Sequence, residues 1–126
     1  MDAGFNTLLE HTNYAWYYRS RVAGRAGEPH DTPFRLAGPL CDGGDVYAGD
    51  GGTPFRLFPA STTAGDAVVF RDTGAYTLEM MNDYNARPRA AAYAVSSTGD
   101  VVEIRRRETV DDLVRLDRGA GSSVEG

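Results

Sequence analysis

The sequence contains no lysine, and all 13 of its basic residues are arginines. An arginine guanidinium remains protonated and cannot bind an aldehyde covalently, so no side chain of this sequence can supply a nucleophilic amine. The single cysteine, Cys41, excludes an internal disulfide and favours a reducing compartment. The two histidines, His11 and His30, do not lie at metal-ligand spacing from Cys41, so we expect no metal site.

Long apolar runs and clustered basic charge are also missing. No apolar stretch approaches the roughly 20 residues that a membrane span needs, and the first residues lack the basic-then-apolar pattern of a signal peptide. The formal net charge is -5, and the run Arg105–Arg107 is too small for a nucleic-acid footprint. We therefore expect a cytoplasmic protein that has neither a membrane nor a nucleic-acid partner.

What is present indicates one mainly-β globular domain. The 126 residues are 41% hydrophobic and 25% charged, which is typical of a soluble chain with one core. Short runs that favour extended structure alternate with turn residues, at 34–37, 46–48, 55–58, 67–71, 90–95 and 101–106. We predict a β-sandwich or Greek-key barrel with short helical insertions.

Local patterns predict the remaining elements. The apolar residues from Phe5 to Tyr17 have a spacing compatible with a short amphipathic helix, and residues 20–33 have the composition of an exposed connection. The turn residues 97–100 predict an antiparallel hairpin between the last two strands. Thr109 and Asp112 resemble a capping box ahead of a helix that ends at Leu116. Residues 118–126 are Gly/Ser-rich and predict a disordered tail.

The loop Gly38–Asp45 is the strongest candidate for chemistry, because it places the thiol of Cys41 beside the carboxylate of Asp42. A proline precedes the pair and two glycines follow it, so the backbone can turn sharply there. Such a pair can donate a proton and bind a cation. The residues alone leave two other interpretations open: a buried, inert Cys41, and aspartates Asp42 and Asp45 that only form the turn.

Five motifs in order carry a family resemblance: Asp2–Asn6, Gly38–Asp45, Asp72–Tyr76, Asn82–Arg89, and Arg105–Thr109 with Asp111–Leu113. Together they resemble the C-terminal β-domain of the fold-type III pyridoxal-phosphate decarboxylases, the family of the diaminopimelate, ornithine and arginine decarboxylases. The resemblance extends over roughly residues 2 to 117, so we predict a decarboxylase-like β-domain at 1–117. It also implies the sandwich or barrel fold.

The resemblance implies a cofactor and a partner. Members of the family carry an N-terminal α/β barrel whose lysine binds pyridoxal 5'-phosphate, and this sequence has neither. We therefore predict the small subunit of a split amino-acid decarboxylase, inactive alone, that shares the cofactor with a separate barrel subunit in a hetero-oligomer. Two alternatives stay open: a non-catalytic scaffolding or binding domain that retained the fold, and a truncated piece of a full-length decarboxylase.

The resemblance also implies roles for specific residues. Cys41 matches the proton donor that acts after carbon dioxide leaves, and Asp42 matches the acid that contacts the distal part of the substrate. Tyr76 matches the tyrosine that bonds the cofactor phosphate across the subunit interface; the alternative is a core tyrosine at a strand end. Tyr84 and Asn85 are expected to shape the interface.

One segment departs from the diaminopimelate pattern. Where the family has Arg-Pro-x-Leu-Tyr, this sequence retains the tyrosine as Tyr14 but replaces the arginine by Glu10, and both positions are predicted to bind substrate. The reversed charge would repel a distal carboxylate and favour a substrate with a distal cation. The alternative is that Glu10 only caps or decorates an exposed helix.

Five large apolar residues have two possible roles. They either form an exposed patch that a barrel subunit would cover, or fill the domain's own core. They are Trp16, Tyr17, Tyr18, Met80 and Met81.

Overall fold

The computed structural model describes residues 1–117, which form two compact units, residues 1–85 and the residues from 86 onward. The strands are β1 (Ser20–Val22), β2 (Thr32–Phe34), β3 (Leu36–Ala37), β4 (Val46–Tyr47), β5 (Arg56–Phe58), β6 (Val68–Phe70), β7 (Ala92–Val95) and β8 (Val101–Arg105). The helices are α1 (Glu10–Asn13), α2 (Thr77–Met80) and α3 (Val110–Val114). The mainly-β prediction is confirmed. A single domain at 1–117 stays a prediction, and the tail predicted at 118–126 lies outside the described residues.

In the first unit the strands pair two by two. β1 pairs with β6, β2 with β5, and β3 with β4, and all three pairs are antiparallel. Four of these strands, β3 to β6, lie within runs that the sequence predicted to be extended, whereas their pairing had no prediction. Within the described residues these ladders do not close into a barrel.

The core of the first unit follows the two-residue period of the strands. In β5 the side chains of Arg56 and Phe58 are buried, whereas Leu57 between them is exposed. Phe58 packs with Val22, which is 1% exposed, and with Leu36 of β3. Burying one large apolar side chain stabilises a fold by about 1.5–3 kcal/mol, so each of these residues contributes to the stability of the unit.

Two sequence predictions for this unit are wrong in part. The helix expected between Phe5 and Tyr17 is only α1, because no side chain caps its start and Ala15 adopts a positive φ of 53° just beyond its end. The exposed connection expected at 20–33 begins instead with β1, since Val22 belongs to the core, and it ends in the first two residues of β2. α2 and two short 3-10 turns, Asp50–Gly52 and Tyr84–Ala86, had no prediction.

The second unit contains the predicted hairpin and helix. β7 pairs antiparallel with β8, and Gly99 in the turn adopts a positive φ of 91°, which glycine tolerates. The predicted capping box is confirmed: Thr109 accepts from the amide of Asp112, and the Asp112 side chain accepts from the amide of Thr109. α3 ends at Val114, two residues before the predicted Leu116. No helix of residues 1–117 has the length and apolarity to cross a membrane.

Candidate functional site

The loop between β3 and β4 is organised around Asp45, which is 3% exposed. Its Oδ1 accepts a hydrogen bond from the amide of Phe5 at 2.8 Å, and its Oδ2 accepts one from the amide of Leu40 at 2.9 Å. A Cβ atom at Gly38 would lie 2.1 Å from Asp45 Oδ2, so only glycine leaves room for this carboxylate. Asp45 therefore ties the loop to the N-terminal segment, and its side chain is turned away from any ligand on the loop surface.

Cys41 and Asp42 lie on the outer side of this loop, and both are exposed. The burial of Cys41 that one interpretation expected is therefore wrong. The Cys41 amide donates to Asn85 Oδ1 at 2.7 Å. Asp42 Oδ1 accepts from the amide of Gly44 at 2.7 Å, so this aspartate also forms the turn that its sequence context indicated.

Tyr84 and Asn85 hold the loop from the 3-10 turn that ends the first unit. The Tyr84 hydroxyl donates to Asp42 Oδ2 at 3.1 Å, and this bond raises the pKa of Tyr84. The Tyr84 ring also packs against Phe5, with ring centroids 5.2 Å apart. The two residues were predicted to shape an interface. In the structure Asn85 holds the backbone amide of Cys41, and Tyr84 holds the carboxylate of Asp42.

A second group of candidate residues surrounds Trp16. The rings of Tyr14 and Trp16 lie with centroids 5.2 Å apart, and those of Trp16 and Tyr76 with centroids 6.2 Å apart. All three side chains are exposed. Tyr76 adopts a left-handed φ of 67° immediately before α2. The alternative of a core tyrosine at a strand end is therefore wrong, and Tyr14 and Tyr76 share one aromatic surface.

Glu10 differs from these residues because its side chain is 0% exposed. Its Oε1 accepts from the Thr77 hydroxyl at 3.0 Å, and its Oε2 has no hydrogen-bond partner. Burial, together with the charge of Glu10, raises the pKa of the Tyr18 hydroxyl. Glu10 therefore joins α1 to α2 beside the aromatic surface, and the alternative of a residue decorating an exposed helix is wrong.

His11 supports the same surface, which the sequence did not reveal. Its Nδ1 lies 3.0 Å from the carbonyl oxygen of Trp16 and donates to it, because a carbonyl can only accept. Its Nε2 accepts from the amide of Ala48 at 2.9 Å, and its ring stacks on Tyr47. His11 thus connects the backbone at Trp16 with the backbone that follows β4.

The candidate residues fall into two contact groups, Cys41 with Asp42 and Glu10 with Tyr14 and Tyr76. Among residues 1–117, no hydrogen bond or ring contact links a member of one group to a member of the other. Trp16 and Thr77, which connect the second group, were not singled out as site residues. The density of aromatic residues at 14–18 was the available signal for Trp16, whereas nothing near Thr77 indicated its contact with Glu10.

Comparison with known proteins identifies relatives for most of the chain. A family model described as "Pyridoxal-dependent decarboxylase, C-terminal sheet domain" matches residues 1–74. Diaminopimelate decarboxylase of Streptomyces coelicolor is 40% identical over 128 residues, covering 98% of this chain and 29% of the relative. That of Methanothermobacter thermautotrophicus is 38% identical over 115 residues, covering 91% of this chain and 25% of the relative.

A solved structure extends the similarity to three dimensions. A crystal structure of diaminopimelate decarboxylase superposes with a TM-score of 0.81 at 35% identity, covering 92% of this chain and 28% of that one. The chain thus spans between a quarter and a third of the length of these proteins.

Proposed function

Because this chain belongs to the pyridoxal-dependent decarboxylases, as their C-terminal sheet domain, we propose that it is the small subunit of a split amino-acid decarboxylase. A separate barrel subunit supplies the lysine, and this chain supplies Cys41, Asp42 and Tyr76 to the shared active site. The observation that carries the proposal is the exposed Cys41, held in a loop that Asp45 and Asn85 fix from two sides. Its assembly is a hetero-oligomer, in which neither chain is active alone.

The residues of this chain fit part of a pyridoxal-phosphate site. With no lysine in the sequence, covalent attachment of the cofactor comes from the barrel subunit. The exposed phenol of Tyr76 is suited to hold the phosphate, because its hydroxyl can donate a hydrogen bond and its ring is placed by Trp16. When bound, the cofactor supplies the electron sink that lets carbon dioxide leave.

Cys41 donates the proton that replaces the lost carboxyl group in this proposal. An exposed thiol can reach a ligand on the loop surface, whereas the backbone bond to Asn85 keeps its position constant between turnovers. Asp42 next to it is already oriented by Gly44 and Tyr84, so its carboxylate is placed to meet a cationic end of the substrate.

The proposed substrate is an amino acid with a distal cation. Asp42 offers direct contact because it is exposed, and Glu10 adds negative charge where the family has an arginine. Glu10 has no accessible surface, so it acts on the substrate through its charge and through the placement of Tyr14 and Tyr76. Both acids disfavour a distal carboxylate.

Exposed apolar side chains in both units support a partner subunit. In the first unit Trp16 and Tyr17 are exposed, whereas Tyr18 and Met81 are buried, so the predicted patch is formed by only some of its members. In the second unit the hairpin exposes apolar side chains from both strands, namely Tyr93, Val95, Val101, Val102 and Ile104. Apolar patches of this kind usually mark interaction surfaces.

The test is co-expression with a lysine-bearing barrel chain, encoded next to this one, followed by purification and an absorbance scan for bound pyridoxal phosphate. A yellow complex that decarboxylates amino acids supports the proposal. A colourless complex supports the scaffolding alternative, and absence of a separate barrel chain shows that the residues are part of a longer polypeptide. Assays with ornithine, lysine, arginine and diaminopimelate then test the substrate, where a preference for diaminopimelate contradicts the distal-cation proposal.

A further inference from the structure

A pocket of about 560 Å³ in the first unit concentrates basic side chains. Arg19, Arg21 and Arg56 line it together with His30, and Asp50 is the one acid among its described lining residues. The excess of basic side chains gives the pocket a positive charge, whereas the whole sequence has a net charge of -5. A volume in this range accommodates a small molecule, and its charge selects an anion.

Among the residues that line this pocket, Arg56 is unusual because its charged side chain is buried in the core, with 3% of its surface exposed. Its Nε donates to the Tyr47 carbonyl at 3.1 Å and its Nη1 to the Tyr18 carbonyl at 2.6 Å. Its guanidinium also lies over the rings of Tyr17 and Phe70, at 4.8 and 5.1 Å from their centroids. These contacts fix the plane of the guanidinium without neutralising it.

No carboxylate among residues 1–117 lies within ion-pair distance of Arg56, and burial lowers its pKa. Its Nη2 is shielded from water and has no hydrogen-bond partner. Buried charges in proteins are nearly always paired, because removing an ion from water without a counter-ion is costly. An anion bound in the pocket that Arg56 lines would supply the missing counter-charge through the electrostatic field, although Nη2 itself has no accessible surface.

His30 provides a second unpaired nitrogen in the same pocket. Its Nδ1 lies 2.9 Å from the Glu28 carbonyl and donates to it, which leaves Nε2 without a partner. Two side chains on different segments therefore each leave a buried nitrogen unpaired, and both line this pocket. None of the candidate site residues lies in its wall.

We propose that this pocket binds a small molecule through an anionic phosphate group. Arg56 and His30 form its inner wall, and two exposed arginines, Arg19 just before β1 and Arg21 in β1, attract the anion and hold it at the mouth. The proposal does not depend on the decarboxylase function, because it uses none of the residues assigned to that site.

The test is a titration of the isotope-labelled, full 126-residue chain with inorganic phosphate, followed by amide NMR shifts at constant ionic strength. We expect saturable shifts at 17–21, at His30 and at 49–57. The double variant Arg19→Gln, Arg21→Gln should bind phosphate at least about fivefold more weakly, because two exposed charges each contribute a modest amount. Arg71→Gln is the matched control, since this exposed arginine follows β6 and does not line the pocket.

Phosphate also stabilises many proteins without binding to a site, and that general effect changes all variants equally. Equal affinity in the double variant and in Arg71→Gln overturns the proposal. Shifts that do not saturate, or that spread evenly over the first unit, also overturn it. The amide spectrum of each variant reports directly whether it has folded.

Discussion

At the scale of single residues, the account depends most on Cys41. Its thiol is exposed, so replacing it removes no buried contact and should leave the fold intact. In the reconstituted complex we expect Cys41→Ala to lower kcat about 100-fold or more, which is the usual contribution of a positioned proton donor. The dissociation constant for the substrate should change little. Single-turnover kinetics with a separate binding measurement checks this, and equal kcat for both proteins removes Cys41 from the mechanism.

Asp45 is the residue on which the loop conformation depends. Asp45→Asn retains the size of the side chain but replaces one acceptor oxygen by a donor, which faces an amide that also donates. We expect a loss of about 1–3 kcal/mol in the free energy of unfolding, measured by urea denaturation. Asp50→Asn on an exposed turn is the control and should change stability by less than about 0.5 kcal/mol. Similar losses in both variants would show that Asp45 does not anchor the loop.

The residue scale also shows what the sequence could reveal about the site. The adjacency of Cys41 and Asp42 was visible directly, because covalent neighbours need no folding to meet. The hydrogen bond between Cys41 and Asn85 joins residues 44 positions apart, and the one between Asp42 and Tyr84 joins residues 42 positions apart. Sequence periodicity does not predict contacts over such separations. Glu10 was predicted to bind substrate, with an exposed helix position as the alternative, yet its side chain is buried against Thr77.

At the scale of elements, the capping box of α3 gives a pH-dependent prediction. The bond from Arg106, and then those from Thr109, hold the pKa of Asp112 well below its usual range. A folded-state pKa below the unfolded value means that the carboxylate stabilises the folded state at pH values above the ordinary carboxyl pKa. That stabilisation is lost as the pH falls through the folded-state pKa.

We therefore expect Asp112→Asn to reduce protection of the α3 amides against hydrogen exchange at neutral pH. The difference from the unsubstituted chain should begin to shrink below about pH 4, where the Asp112 carboxylate of the opened helix takes up a proton, and should vanish only as the pH falls through the lower folded-state pKa. Asp111→Asn, one residue earlier in the same turn, is the control with the same change in charge and a smaller expected effect. A difference that stays constant with pH would contradict the assigned role of Asp112.

Elements with local causes were predictable, and those with distant causes were not. The hairpin and the cap depend on residues 97–100 and on Thr109 with Asp112, so a few neighbouring side chains determine them. β1 has only three residues and is stabilised by β6, about 50 positions away, so its sequence carries too little alternation to reveal it. α1 is also shorter than its apolar spacing predicted, because no side chain caps its start and Ala15 adopts a positive φ just beyond its end.

At the scale of the whole molecule, the chain presents exposed apolar side chains in each of its two units. Water disfavours this surface, and we expect a barrel partner to cover it. Alone, the chain should bind an apolar reporter dye and associate with itself, and both properties should decrease in the complex. A monomeric chain that binds no dye would contradict a large apolar interface. Sedimentation velocity with fluorescence titration measures both.

The family itself was recognisable from sequence because its motifs are short, ordered and spread over the chain, from Asp2–Asn6 to the residues around Thr109. The way in which the rest of the enzyme is supplied has no counterpart among these motifs. In the proposed split enzyme it depends on the surface of a second polypeptide, and the relatives that match here are three to four times as long as this chain.

Release of labelled carbon dioxide from carboxyl-labelled amino acids measures the central claim most directly. The purified 126-residue chain, supplied with pyridoxal phosphate, should release none, because it contains no lysine whose side-chain amine could bind the cofactor. Addition of the barrel chain should start the release, and Cys41→Ala in the same complex should nearly abolish it. Release of carbon dioxide by the purified chain alone would contradict the account.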